Sequence, residues 1–415
     1  MSRFHIAPHA FAFTVLLGVL AALPVLSIDL SAPTLPLLPA ALGTTTLVAG
    51  LTLSLFMGGF ALGQLAGGHL SDRHGRRPVL LVGLACFTLA GAACAVSRTG
   101  PELVAARMIQ GFGAGACSVL AFAIVQDLFK GDAARSKRSF VTVVFGAVPI
   151  FAPALGSFLI QFESWRAVHG VLAVAGGALA LIMAAGFAES WRNEPRAGSS
   201  TPNAVARPHE PVRLWRDREF WGFTLANALS YGCIFGYIAG SPVVIMRDLG
   251  FSSTVFAAVF ACTAGALTAG AWTGGMLGRR GFGAAVLVDT ALSVTGVAAI
   301  ALAMSSAIGI GSPLALVPLL VIVLFSRGVI APNLQHLAIE RRRHQAGAAS
   351  AAVGCTQLLL GGLTSAVVAL LLPGLHSAAV ALPMAVCAVG ALAVWRATAQ
   401  YGRVPRPNLA ARNAE

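Results

Sequence analysis

Twelve apolar runs, each long enough to cross a bilayer, follow one another along this chain. They cover about residues 11–31, 46–69, 78–97, 101–124, 138–160, 167–188, 219–242, 254–276, 284–306, 313–335, 347–372 and 377–397. A hydrocarbon core about 30 Å thick is spanned by about 20 helical residues. Hydrocarbon offers the backbone no hydrogen-bond partners, so a spanning segment must satisfy its own amides. Runs of this length, without strand-like alternation, therefore predict helices. The residue content agrees: 57% of the chain is hydrophobic and 10% charged, against about 25% charged in soluble domains. The net charge of +13 then belongs to membrane sidedness rather than to nucleic-acid binding.

A polar stretch from Glu189 to Arg218 separates the sixth run from the seventh. It holds Pro195, Pro202, Pro208 and Pro211 around Gly198-Ser199-Ser200-Thr201, the composition of a flexible linker. The expected fold is thus an all-α membrane protein of twelve transmembrane helices in two six-helix halves. Residues 1–188 form the first half, 189–218 the linker, 219–397 the second half and 398–415 a basic tail. The first run, from Phe11 to Ile28, is too long for the apolar core of a cleaved signal and is followed by further spans.

Lys and Arg set the orientation. Arg73, Arg76, Arg77, Lys130, Arg135, Lys137, Arg138, Arg279, Arg280, Arg341, Arg342 and Arg343 fall on one side, with Arg3, the linker arginines and the tail. Arg98, Arg166 and Arg247 fall on the other. Cytoplasmic loops carry the basic excess, which predicts that both termini are cytoplasmic. The seven cysteines are scattered singly, which reads as small buried apolar residues rather than as metal ligands.

One short break in the apolar pattern is strongly charged. Gly68-x-Leu70-x-Asp72-Arg73-x-Gly75-Arg76-Arg77-x-x-Leu80 exceeds what topology needs. It resembles the signature loop between helices 2 and 3 of the major facilitator superfamily. Asp29 begins Asp29-x-x-x-Pro33-x-x-Pro36 at the end of the first run, and Arg107 begins Arg107-x-x-Gln110-Gly111-x-Gly113 in the fourth. Both patterns resemble those of drug:proton antiporters in that superfamily. The helix 5 pattern of Gly146, Pro153 and Gly156 is similar to the antiporter motif, although Ala152 precedes the proline and Ser157 stands where a second glycine is usual. With Trp165-Arg166 and Tyr237-x-x-Gly240-Ser241-Pro242, the pattern resembles the bicyclomycin and chloramphenicol/florfenicol resistance (Bcr/CflA) branch. The resemblance is densest from residue 29 to 166.

Ionisable groups within spans are functional candidates by default. A carboxyl group at the depth of Asp29 suits proton exchange, and the resemblance gives it that role. An interfacial helix-end acid is the other reading. Opposite helix directions put Asp29 and Arg107 at similar depth, as a coupling pair or as a purely structural one. The resemblance further implies a conformational latch from Gly68, Asp72, Arg73, Gly75, Arg76, Arg77 and Asp127 that holds the halves together on the cytoplasmic side. Asp127 also reads as an ordinary helix-end acid. Arg327 either pairs with Asp289 or faces the substrate cavity, which Gln110 and Tyr237 would also line.

The function so implied is proton-coupled efflux of small amphipathic drugs or toxic compounds across the bacterial cytoplasmic membrane by alternating access. The proton gradient supplies the energy, with no cofactor, metal or nucleic acid, and the working unit is a monomer. A proton-coupled metabolite transporter, importing or exporting, is the alternative. No nucleophile elbow or Walker A pattern occurs, and the intramembrane acids are single and far apart, which argues against a membrane enzyme.

Overall fold

The computed structural model describes residues 10–162, 164–190, 217–308, 313–340 and 346–401. Twelve helices among them are long and apolar enough to cross a membrane. They are α1 (Phe11–Ser31), α2 (Thr46–His74), α3 (Arg76–Val96), α4 (Gly100–Leu128), α5 (Gly131–Phe162) and α6 (Trp165–Gly186), then α7 (Arg218–Pro242), α8 (Ser253–Arg279), α9 (Ala284–Ala307), α10 (Pro313–Glu340), α11 (Ala346–Leu375) and α12 (Ala378–Tyr401). A tight turn, Ala32–Thr34, and a short helix, Leu38–Leu42, join α1 to α2, and a π-helical turn, Val243–Asp248, extends α7. Most of the expected linker (191–216) and tail (402–415), with Arg3, Arg341, Arg342, Arg343 and His344, lies outside the described residues.

Several helices overrun their apolar runs at the end of the bundle that carries Arg76, here called the basic end. The α2 helix continues through Asp72 and Arg73 to His74, α5 starts at Gly131, and α10 reaches Glu340. A charge ends an apolar run but not a helix, because beyond the hydrocarbon water solvates the side chain while the backbone ladder continues. The expected loop between α2 and α3 therefore shrinks to one residue, Gly75, at φ +94°, a conformation L side chains rarely adopt. At the other end, the far end, side chains start helices: Thr45 accepts from the Val48 amide at 3.3 Å and Thr99 from the Glu102 amide at 3.4 Å, satisfying orphan amides.

Packing rather than water exclusion drives helices together in lipid, and small residues let backbones close in. In the first half the seam is α2 on α4. A Cβ on Gly63 would strike the Phe112 backbone, and one on Gly111 the Phe56 backbone. The second half repeats the seam with α8 on α10, where Gly270 meets Phe325 and Gly328 meets Leu267. Four of the seven cysteines, Cys94, Cys117, Cys233 and Cys387, are buried as expected. Cys262 is exposed and Cys86 and Cys355 are half-buried, because a helix facing lipid has no need to hide a small apolar side chain.

The halves meet tightly at the far end. Ser157 Oγ donates to the Ser253 carbonyl at 2.9 Å, and Gln161 Nε2 donates to Ser253 Oγ at 3.2 Å and Thr254 Oγ1 at 3.0 Å. Arg247 Nη1 donates to Thr46 Oγ1 at 3.0 Å. Among the described residues, every side-chain hydrogen bond between the halves lies at this end.

Overpacking a tight seam costs about 1–3 kcal/mol. Gly63→Leu is expected to lower the yield of monodisperse protein in detergent sharply. Gly58→Leu, on the same helix where a Cβ meets nothing within 4 Å, is expected to leave it near wild type.

Candidate functional site

Between the halves lies a cavity of about 420 Å³. Helices α1, α2, α4 and α5 line it from one half and α7, α8, α10 and α11 from the other. Phe60, Phe122, Phe145, Phe235 and Phe260 make much of its wall. Asp29, Gln64, Tyr231, Tyr237, Gln335 and Gln357 place polar groups on it. Gln64, Gln335 and Gln357 sit toward the basic end of their helices, while the inter-half bonds close the far end. The cavity thus extends toward the basic end in this conformation.

Asp29 reaches this cavity from α1. It is 2% exposed, and its Oδ2 is buried without a hydrogen-bond partner. Arg107 is at the same depth but turns to another face of α1. Its Nη1 donates to Ser27 Oγ at 2.7 Å and to Gln110 Oε1 at 2.8 Å, and its Nη2 to Ser31 Oγ at 3.2 Å. The guanidinium also lies 4.3 Å from the Phe56 ring centroid, a cation–π geometry. Ser27 and Ser31 are four residues apart and share a helix face, whereas Asp29, two residues from each, points elsewhere. The expected contact between Asp29 and Arg107 is therefore absent: hydroxyl groups and an aromatic face solvate the arginine instead.

Gln110 and Arg327 do not line the cavity as expected. Gln110 faces Arg107 and the small residue Gly91 of α3, its Oε1 held by Arg107. Arg327 is 4% exposed and donates through Nη1 to Asn227 Oδ1 at 2.9 Å. It does not pair with Asp289, which accepts from Trp395 Nε1 at 3.1 Å and lies 3.5 Å from Arg396 Nε. Asn227 in turn donates to Gln357 Oε1 at 3.1 Å. Tyr237 does line the cavity, its hydroxyl 3.0 Å from Thr263 Oγ1 and its ring stacked on Phe260.

At the basic end Arg76 gathers the charges. Its Nη1 binds Asp72 at 2.6 Å and Ser71 Oγ at 2.7 Å, and its Nε binds Asp127 at 2.8 Å. Glu189, just past α6, caps α3 by accepting from the Arg76 amide at 2.9 Å and the Arg77 amide at 3.1 Å. Arg77 Nη2 donates to the Ala184 carbonyl at 2.7 Å. A Cβ on Gly75 would fall 2.6 Å from Glu189, so the glycine serves both its own backbone and this cap. Arg73 is exposed and Gly68 has nothing within 4 Å of a built Cβ. Both stand outside the cluster. All these bonds lie within the first half or tie it to Glu189 at the start of the linker, and none of them reaches the second half.

On α5, Gly156 is a close-approach site, where a Cβ would strike the Leu30 carbonyl, while Gly146 has open space around it. Pro153 lies within the helix and Pro149, one turn earlier, lines the cavity. Ser157, the departure from the family pattern, makes the bond to Ser253 that joins the halves. Sequence reading missed Glu189, Asn227, Gln357 and the pair Ser27/Ser31. Asn227 and Gln357 had a usable signal, being amides inside apolar runs. Glu189 had none, since a single acid at a linker's edge is ordinary.

The Major Facilitator Superfamily family model matches residues 17–366. A Bacillus subtilis protein described as "Uncharacterized MFS-type transporter YdgK" is 34% identical over 366 residues, covering 86% of this chain and 89% of its own. The "Chloramphenicol resistance protein" of Pseudomonas aeruginosa is 30% identical over 365 residues, covering 83% and 81%. In three dimensions the chain is similar to a bacterial homologue of the human lysosomal transporter Spinster, solved in an inward-facing and occupied conformation. The TM-score is 0.75 at 16% identity, over 97% of this chain and 100% of that one.

Arg76 is mostly buried, its side chain 11% exposed, while Asp72 is 66% and Asp127 23% exposed. An exposed pair contributes about 0.2–1 kcal/mol, and stripping a buried cation of its sheltered partner costs about 1–3 kcal/mol. Asp127→Asn is expected to lower the thermal unfolding midpoint in detergent more than Asp72→Asn. The reverse order would show that the exposed pair holds Arg76.

Proposed function

The chain belongs to the major facilitator superfamily, a family of membrane transporters, and we propose that it exports small amphipathic drugs or toxic compounds in exchange for protons. The observation that carries this reading is Asp29: a buried carboxyl group, its Oδ2 unpartnered, on the wall of the cavity between the halves. A buried carboxylate without a partner is expensive, and a bound proton or a cationic substrate removes that cost. The two therefore compete for one group, which is the requirement for exchange. The aromatic wall suits an apolar substrate body, and relatives such as the Pseudomonas aeruginosa chloramphenicol resistance protein favour drugs as cargo.

The cycle follows from alternating access. With the basic end cytoplasmic, as the arginine bias predicts, the cavity of the conformation described here extends toward the cytoplasm. Substrate enters, Asp29 gives up its proton, and the halves rock to open the far end. A proton from outside then takes Asp29 and substrate leaves. Arg107 acts as a positioning residue in this scheme. Gripping Ser27 and Ser31 on either side of Asp29 in sequence, it fixes the rotation of α1 and thereby the aim of the carboxyl group. Arg76, with Asp72, Asp127 and Glu189, holds α2, α3, α4 and the end of α6 together, so that this half moves as one body. The latch across the halves belongs to the opposite conformation, in which the basic end closes.

Inside-out vesicles with an imposed proton gradient test the exchange. Wild type is expected to accumulate chloramphenicol or ethidium. Asp29→Asn, correctly inserted, is expected to lose at least about tenfold of gradient-driven accumulation, about 1.4 kcal/mol, while still binding neutral substrate. Unimpaired transport by Asp29→Asn would remove Asp29 from coupling, and substrate leaving the vesicles with the proton flow would favour the metabolite symporter instead.

A further inference from the structure

Opposite the wall that carries Asp29, three polar side chains of the second half form a chain with one possible direction. Arginine has only donors. Arg327 Nη1 sits 2.9 Å from an Asn227 amide atom, so that atom must be the oxygen. The Asn227 NH2 group is then turned to Gln357 at 3.1 Å, so Gln357 must present its own oxygen to it. What remains for the cavity, which Gln357 lines, is the Gln357 NH2. Side-chain amides are normally ambiguous between two orientations, but here the arginine removes the ambiguity at both.

Among the described residues, no acid forms an ion pair with Arg327. Arg327 is buried, and Asp289, the acid nearest in expectation, is engaged by Trp395 and Arg396. The Tyr231 ring lies 5.7 Å from the guanidinium. A chain of hydrogen bonds polarises along its length, and an ionised first donor strengthens those that follow.

We infer that Gln357 is a specificity-determining residue: a donor, fixed by Arg327 through Asn227, that selects substrates bearing a hydrogen-bond acceptor such as a carbonyl, sulfonyl or nitro group. This rests on reading the cavity as the substrate chamber. The two walls then divide the work. Asp29 accepts protons or cations on one half, and Gln357 donates to acceptors on the other, so a substrate that touches both ties the halves together.

The test is equilibrium binding to the purified full-length protein in detergent, with two probes. Chloramphenicol carries an amide carbonyl and a nitro group, whereas tetraphenylphosphonium is an apolar cation with no hydrogen-bonding group. Gln357→Leu is expected to weaken chloramphenicol binding about 3- to 10-fold, the worth of one hydrogen bond, and to leave tetraphenylphosphonium within about twofold, which also shows that the variant is folded. Gln357→Glu turns the donor into an acceptor and is expected to lose chloramphenicol and bind tetraphenylphosphonium more tightly. Arg327→Met is expected to weaken chloramphenicol binding on its own and to add nothing to Gln357→Leu. Equal changes for both probes, an unchanged chloramphenicol affinity, or additive effects of Arg327→Met and Gln357→Leu would overturn the assignment. Wild type binding neither probe would overturn the drug-export reading and the acceptor selection with it, and that outcome is recognised before any substitution is made.

Discussion

Hydrocarbon supplies no hydrogen bonds, and that absence organises the polar groups of this protein. The buried cations are provided for by their neighbours. Arg107 is solvated by two serines, a glutamine and a phenylalanine ring, and Arg327 by an asparagine and a tyrosine ring. Asp29 differs from these two arginines, with a carboxylate oxygen both buried and unpartnered beside a cavity that reaches both halves. An unmade bond to a buried group costs about 1–3 kcal/mol, and more for a charged one, so a partner arriving in the cavity would complete it. The proposed proton exchange takes that missing partner to be a proton or a substrate.

Two kinds of joint give the bundle its conformation. Within each half, glycine seams bring backbones together, Gly63 and Gly111 in the first and Gly270 and Gly328 in the second. Between halves the far-end contacts are hydroxyl, amide and carbonyl bonds, such as Ser157 to Ser253. Seams of close-packed backbone resist sliding, whereas a few polar bonds near a membrane surface exchange readily with water. Small-residue packing joins the halves as well, where a Cβ on Gly50 of α2 would meet Ala369 of α11 and one on Gly362 of α11 would meet the Ser54 carbonyl of α2. The Arg76 cluster also holds the first half together, because Asp72, Asp127 and Ser71 lie in that half and Glu189 directly follows it.

Spans and their number were legible because length and hydropathy are one-dimensional properties, and the glycine and charge spacing from Gly68 to Leu80 carried the family resemblance. Helix ends were less so: α2 runs on to His74 and α5 begins at Gly131, since leaving the bilayer does not end a helix. The depth shared by Asp29 and Arg107 followed from counting along opposed helices. Their failure to touch did not, because two residues along α1 turn a side chain to another face. Arg327 and Asp289 misled for a similar reason. Opposite charges near one end of two neighbouring helices suggest a pair, but Trp395 and Arg396 on α12 reach Asp289 instead. Partners such as Asn227 with Gln357, or Glu189 with the amides of Arg76 and Arg77, depend on which helices adjoin, and hydropathy does not contain that.

The central claim is that substrate and proton compete for the Asp29 carboxyl group. Proton release from detergent-solubilised protein in unbuffered solution, followed with a pH indicator as tetraphenylphosphonium is added, addresses it most directly. The account predicts that wild type acidifies the solution in step with binding and that Asp29→Asn binds without acidification. Equal acidification by the two proteins would contradict it.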